Sequence, residues 1–298
     1  MQPPQVQPFT PAPLTARELT VAAISALALA TLLYAPILQA GALLNLDLVA
    51  TRHWEVSPGF VGLGPELPRL TPIELPMAAA TSLIGSYATK LFLILAAAAA
   101  TTGGYRLARL FGSAILPAAG AAVLYGLGPF ATTRASVGHL TIVGAIAMLP
   151  WTLRALLDGP ERKRPFVMAN AAMALLGFFG GAVALIVVPV GLWARRGPLR
   201  LGTLLMAGAM HLIWLVPGVL VMTGAGNIGG ADLFPSGIDS ALDALGLFVG
   251  HGFWQDSLQV GGDSGVVVAA LGAATAALAI IGFTAIRGQE VLRRQAAA

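Results

Sequence analysis

The chain contains no cysteine, which excludes disulfides and thiolate metal sites. Charge is scarce too: Asp, Glu, Lys and Arg make up 10% of 298 residues, against about 25% in soluble proteins. A surface so poor in charge is not mainly wet. HExxH, the P-loop pattern and the G-x-S-x-G elbow are all missing, so zincin, P-loop NTPase and serine-hydrolase chemistry have no anchor. No internal repeat and no soluble domain stands out.

Apolar residues, by contrast, make up 57% of the chain, and the mean hydropathy is +0.81. Apolar stretches recur from Leu19 to Ile286, and a bilayer core of about 30 Å needs ~20 such residues per helix. The pattern predicts an all-α, polytopic transmembrane helix bundle. A pI near 10.0 would ordinarily suggest nucleic acid. Here the basic residues stand in ones, twos and threes at helix ends, as topology determinants do, so nucleic acid is excluded as a partner. With a cytoplasmic N-terminus, only Arg52, Arg69, Lys90 and Arg134 lie outside, leaving 13 of the 17 Lys and Arg inside, as the positive-inside rule requires.

The first run, Leu19 to Leu43, exceeds the ~7–15-residue core of a secretory signal and reads as a retained anchor helix. Residues 1–18, with Pro3, Pro4, Pro8, Pro11 and Pro13, read as a disordered cytoplasmic tail. Residues 19–286 read as one transmembrane module and 287–298 as a second cytoplasmic tail. A long outer segment, Asn45 to Ser86, is broken by prolines, with a short interfacial helix expected over Leu75–Ile84. Helices follow at Tyr87–Leu107, Ser113–Leu127 and Leu140–Leu157, with a short outer loop holding Arg134 and His139. Phe166 to Ala194 is expected as a pair broken near Gly177, Gly180 and Gly181, because one straight span would put Arg195, Arg196 and Arg200 outside. Leu199–Met222, a second outer segment Thr223–Asp263 and a last helix Ser264–Ile286 complete about eight apolar segments, with both termini cytoplasmic.

Candidate chemistry therefore lies outside. Asp47, at the mouth of helix one, reads as a general base or metal ligand, or as an interfacial acid facing water. His53 and Glu55 follow it in the same loop. Lys90 reads as a phosphate holder or as a snorkelling lysine. Arg134 and Arg69 are the other outer cations of interest, and the short loop of Arg134 suits a bidentate phosphate clamp. His139 and His251 lie near the outer mouth, whereas a mid-helix His211 reads as structural. Trp54 and Trp254 read as sugar-stacking platforms or interfacial anchors.

Several short stretches, taken in order, resemble polytopic membrane proteins of actinobacteria. They are Leu46-Asp47-Leu48-Val49, Gly62-Leu63-Gly64, Leu67-Pro68-Arg69 with Pro72, Gly128-Pro129-Phe130 with Arg134, Gly138-His139, Leu149-Pro150-Trp151, Trp214-Leu215-Val216-Pro217 and Gly252-Phe253-Trp254. That group looks like the GT-C class of glycosyltransferases. The resemblance implies a GT-C-like fold in the bacterial plasma membrane. It further implies sugar transfer from a polyprenyl-phosphate donor to an envelope glycan or lipid acceptor, with Asp47 in the position of the catalytic acid of the first outer loop. No cofactor can be named, though a divalent metal fits the side chains. The rival readings are a non-enzymatic GT-C-derived scaffold subunit, and a lipid or sugar transporter or flippase.

Overall fold

The computed structural model describes residues 14–45, 48–50, 54, 72–110, 113–158, 163–194 and 201–224, with two isolated positions, 273 and 277. Thr15 and Glu18 form the S/T-x-x-E pattern of a helix start, and the Thr15 hydroxyl accepts the Glu18 N–H at 3.1 Å. From there α1 runs Ala16–Leu33. It ends ten residues before the expected Leu43, because Pro36 has no N–H and its ring opposes the Leu32 carbonyl. A 3-10 turn, Ala35–Leu38, takes over.

The chain then departs from an all-α reading. Strands β1 (Leu43–Asn45) and β2 (Leu48–Ala50) pair antiparallel, with Leu43 opposite Ala50 and Asn45 opposite Leu48. The short helix expected over Leu75–Ile84 is α2, Glu74–Ile84. Next comes α3, Tyr87–Leu110, whose 24 residues reach about 36 Å at ~1.5 Å per residue. It packs against α1, α2, α4 (Ile115–Leu127) and α6 (Leu140–Asp158). Small side chains permit this: Ala96, Ala97, Ala98, Ala100 and Thr101 are all buried on α3. A Cβ on Gly126 of α4 would collide with the Thr101 backbone, so α3 and α4 touch almost backbone to backbone, as small residues allow in membrane bundles.

Between α4 and α6 the expected loop is instead a helix, α5, Pro129–Val137. Proline at the first helical position has no donor to lose. Gly138, at φ +96°, closes the helix in the left-handed conformation that glycine adopts freely.

The run Phe166 to Ala194 is two helices, α7 (Lys163–Leu175) and α8 (Gly177–Ala194). They break where expected, at Gly177, whose φ is +66°. Phe166 and Val188 share one apolar cluster with Ala155 and Ala207, whereas Met173, Leu176 and Ala184 share another with Ala145. So α8 returns alongside α7 as a hairpin. The Ile73 N–H bonds the Leu175 carbonyl at 2.7 Å, which ties the α7–α8 corner to the entrance of α2. The start of α7 and the end of α8 therefore lie together at the opposite end of the bundle.

The last long described helix, α9, spans Leu201–Gly224. It faces α7 through a closed polar network. Trp214 Nε1 donates to His211 Nδ1 at 2.9 Å. Indole is a donor only, which assigns the imidazole proton to Nε2, 3.4 Å from Asn170 Oδ1. Asn170 Nδ2 in turn donates to the Ala207 carbonyl at 3.3 Å. His211 thus bonds a neighbouring helix.

Among the described residues five helical stretches are long and apolar enough to cross a membrane: Ala16–Leu33, Tyr87–Leu110, Ile115–Val137, Leu140–Leu157 and Leu201–Val219. Large apolar side chains stand exposed around them, Leu116 at 83% and Leu32 at 73% among others. Such an apolar belt is costly in water and ordinary in lipid, which marks a membrane protein. The expected last helix, Ser264–Ile286, lies outside the described residues apart from positions 273 and 277.

Two glycines on α4 make the packing testable. Gly126→Ala should destabilise by about 1–3 kcal/mol through overpacking against Thr101. Gly120→Ala meets nothing within 4 Å and should instead stabilise by about 0.5–1 kcal/mol through helix propensity. Unfolding of the purified protein in mixed micelles measures both, and shifts of the same sign would contradict this packing.

Candidate functional site

The end of the bundle that carries the β-hairpin brings several expected residues together. Its geometry begins at the hairpin root, Gln39 to Gly41. Ser86, in the turn between α2 and α3, donates its hydroxyl to the Gly41 carbonyl at 2.9 Å. Lys90, one turn into α3, is only 1% exposed. Its Nζ donates to the Gln39 carbonyl at 2.5 Å and lies 4.8 Å from the centre of the Tyr87 ring. Closed off from solvent, Lys90 holds backbone instead of reaching for headgroups. The hairpin root is thereby fastened to the start of α3 at two points.

Beneath the hairpin, Leu93 of α3, Ala135 of α5 and Val143 of α6 form a buried apolar cluster, on which Leu43 of β1 and Leu140 of α6 also pack. The hairpin and the α5–α6 corner thus rest on one floor. Arg134 and His139 sit at that corner. The His139 N–H donates to the Arg134 carbonyl at 3.0 Å and the Gly138 N–H to the Ala135 carbonyl at 3.2 Å, so the glycine cap holds the two residues at adjoining helix ends. The half-buried Arg134 guanidinium lies over the Phe130 ring, 5.2 Å from its centre, a cation–π placement. Tyr34 also packs on this floor. Desolvation pushes its phenol up to about 12, which rules it out as a base near neutral pH.

Trp54 lies beside α2, its backbone N–H 3.3 Å from Thr81 Oγ1. Its indole N–H is buried without a hydrogen-bond partner, so this tryptophan is tucked inward. Asp47, His53, Glu55, Arg69, His251 and Trp254 lie outside the described residues. Among the described residues, no group of three His, Asp or Glu could hold a metal ion.

One polar cluster is new. At the opposite end of the bundle, Glu18 Oε1 accepts the Tyr105 hydroxyl at 2.6 Å and Arg109 Nε at 2.8 Å. Arg109 also donates to the Ser113 carbonyl. These partners are 87 and 91 residues from Glu18, and no local pattern announces such a pairing. The sequence signal for the role of Lys90 was equally faint: an isolated lysine next to a helix start.

Removing the two fasteners should loosen the hairpin without unfolding the bundle. A hydrogen bond from a charged donor contributes about 1.5–3 kcal/mol. Lys90→Ala should therefore open the hairpin about 10–100 times more often, with Ser86→Ala giving a smaller effect. Hydrogen exchange at Leu43–Asn45 and Leu48–Ala50 reports this against a protected α3. Unchanged exchange would show that the root is held by other contacts.

The chain matches no protein-family model, no curated protein and no solved structure.

Proposed function

We infer that the chain is a membrane glycosyltransferase of the GT-C type, moving a sugar from a polyprenyl-phosphate donor to a cell-envelope glycan or lipid. The hairpin end faces outward from the bacterial plasma membrane, and both termini are cytoplasmic. One observation carries this reading. The hairpin strands on either side of positions 46 and 47 share their apolar floor with the corner bearing Arg134 and His139, which supports pairing the candidate base with the candidate phosphate clamp.

The chemistry follows from that pairing. An alcohol is a poor nucleophile until its proton is taken. Asp47 accepts the acceptor hydroxyl proton as the oxygen attacks the anomeric carbon. The sugar–phosphate C–O bond breaks, and the lipid phosphate leaves with the electron pair. Arg134 holds that phosphate and stabilises the charge it gains. Lys90 contributes by holding the hairpin, and His139 borders the donor site. Acceptor binding is assigned to His53, Glu55, Arg69, His251 and Trp254 from the sequence. The inward-turned Trp54 anchors the loop.

A scaffold role has one observation in its favour: Lys90 binds the chain's own backbone, leaving one cation fewer for a ligand. The transporter reading is weaker. Its polar midplane groups, Asn170, His211 and Trp214, satisfy one another and leave no open ion site.

Two measurements test this. With a labelled polyprenyl-phosphate sugar in reconstituted membranes, Asp47→Asn should lower transfer about 10²–10⁴-fold with folding intact. Arg134→Ala should chiefly raise the KM for the donor. Transfer unchanged in both would favour the scaffold. Orientation can be read separately, because the chain has no native cysteine. In intact cells a membrane-impermeant maleimide should label Ser82→Cys on exposed α2 and reach Ala16→Cys only after permeabilisation; the reverse pattern would invert the topology.

A further inference from the structure

At the end of the bundle opposite the candidate site, α1 and α4 both lean on α3 and leave a groove between them of about 490 Å³, within the ~300–1,000 Å³ range of small-molecule sites. Its walls are almost wholly apolar. Ser25 and Leu29 of α1, Ala119 and Val123 of α4, and Tyr105 of α3 all line it. Lining side chains such as Val21 and Ile115 are more than half exposed among the described residues. The groove runs along α1 from Arg17 to Leu29, about 18 Å at ~1.5 Å per residue. That is close to one leaflet of hydrocarbon, about 15 Å or half of a ~30 Å core.

Its mouth is polar and carries a surplus positive charge. Glu18 is engaged by Tyr105 and Arg109, so the single acid there is already matched by a base. Arg17 also lines the mouth, is exposed and forms no ion pair among the described residues. Apolar length, leaflet depth and an uncompensated cation at the headgroup level describe a lipid.

We propose that this groove binds one acyl chain of a phospholipid from the adjacent leaflet, with its anionic headgroup against Arg17. The site is separate from the sugar-transfer reading and requires only that the chain lie in a bilayer. Charge complementarity selects the headgroup, because a basic side chain at a membrane surface favours anionic lipid by about fivefold. Zwitterionic lipid of the same chain length enters the same groove without that gain.

The test uses the full chain in mild detergent, titrated with phosphatidylglycerol or phosphatidylcholine of identical acyl chains and read by native mass spectrometry. The wild type should retain one phosphatidylglycerol, with an apparent affinity about fivefold above that for phosphatidylcholine. Arg17→Gln should erase that preference and leave chain binding in place. Ser25→Phe fills the groove from an exposed position and should lower retention of both lipids at least about tenfold. Ala28→Phe, exposed on α1 outside the groove, should retain lipid as the wild type does. Equal retention of the two lipids by wild type would overturn the proposal, as would Ser25→Phe binding like Ala28→Phe, or a lipid-free dimer. Should Ser25→Phe not fold, the Arg17→Gln comparison decides alone.

Discussion

Among the described residues four helices rest on α3, and they can do so because its buried surface is mostly alanine, threonine and glycine. Lipid tails are as apolar as leucine, so burial alone does not drive helices together in a bilayer. Close packing and buried hydrogen bonds must do it. The structure uses both. Gly126 lets α4 meet the Thr101 backbone, and Trp151 of α6 fits where a Cβ on Gly103 would collide with it while its Nε1 donates to the Ala99 carbonyl at 3.0 Å. Everything at the hairpin end inherits its position from these contacts. The hairpin root is fastened to the first turn of α3, and the floor under it is the outer face of the same helix and its neighbours.

The second half of the described bundle follows a different plan. Between α7 and α9 a chain of hydrogen bonds runs from the Ala207 carbonyl through Asn170 and His211 to Trp214. Gly181 of α8 leaves the space that the Trp214 ring fills. A fully satisfied network in a low-dielectric interior rigidifies its surroundings. It fixes α9 against α7, one of the two helices of the corner tied to α2 through Ile73 and Leu175. Helix α6, which begins beside His139, contributes to the clusters of both halves.

The sequence announced the long apolar helices and the α7–α8 break well, because both rest on local signals. Twenty apolar residues and a glycine between basic clusters need no tertiary context. It was less informative where two rules competed. The apolar run through Leu43 read as continuing helix, although Pro36 stops the helix and the residues beyond pair as strands. The segment around Arg134 read as a loop, although Pro129 at a helix start and Gly138 at its end are the ordinary marks of a short helix. The burial of Lys90 and the pairing of Glu18 with Tyr105 and Arg109 were not legible at all. Each joins residues more than fifty positions apart, and their geometry exists only after α3 has been packed.

The two ends of the bundle differ in how they treat charge, and the difference bears on what each can do. At the end marked by Glu18 and Arg109, an acid and a base neutralise each other, leaving Arg17 at the mouth of an apolar groove. That is a surface for holding an amphiphile, with no candidate base left free among the described residues. At the hairpin end, Lys90 is turned toward the chain's own carbonyl, while Arg134 stands stacked at a helix corner. A lysine so placed would compete with a ligand phosphate only by releasing the hairpin. The two cations therefore differ in their contacts: Lys90 fixes the frame, and Arg134 lies over Phe130 at the corner that shares that frame's apolar floor. On the proposed sugar-transfer reading both matter, since a phosphate clamp gains catalytic value only when the frame around it is held fixed.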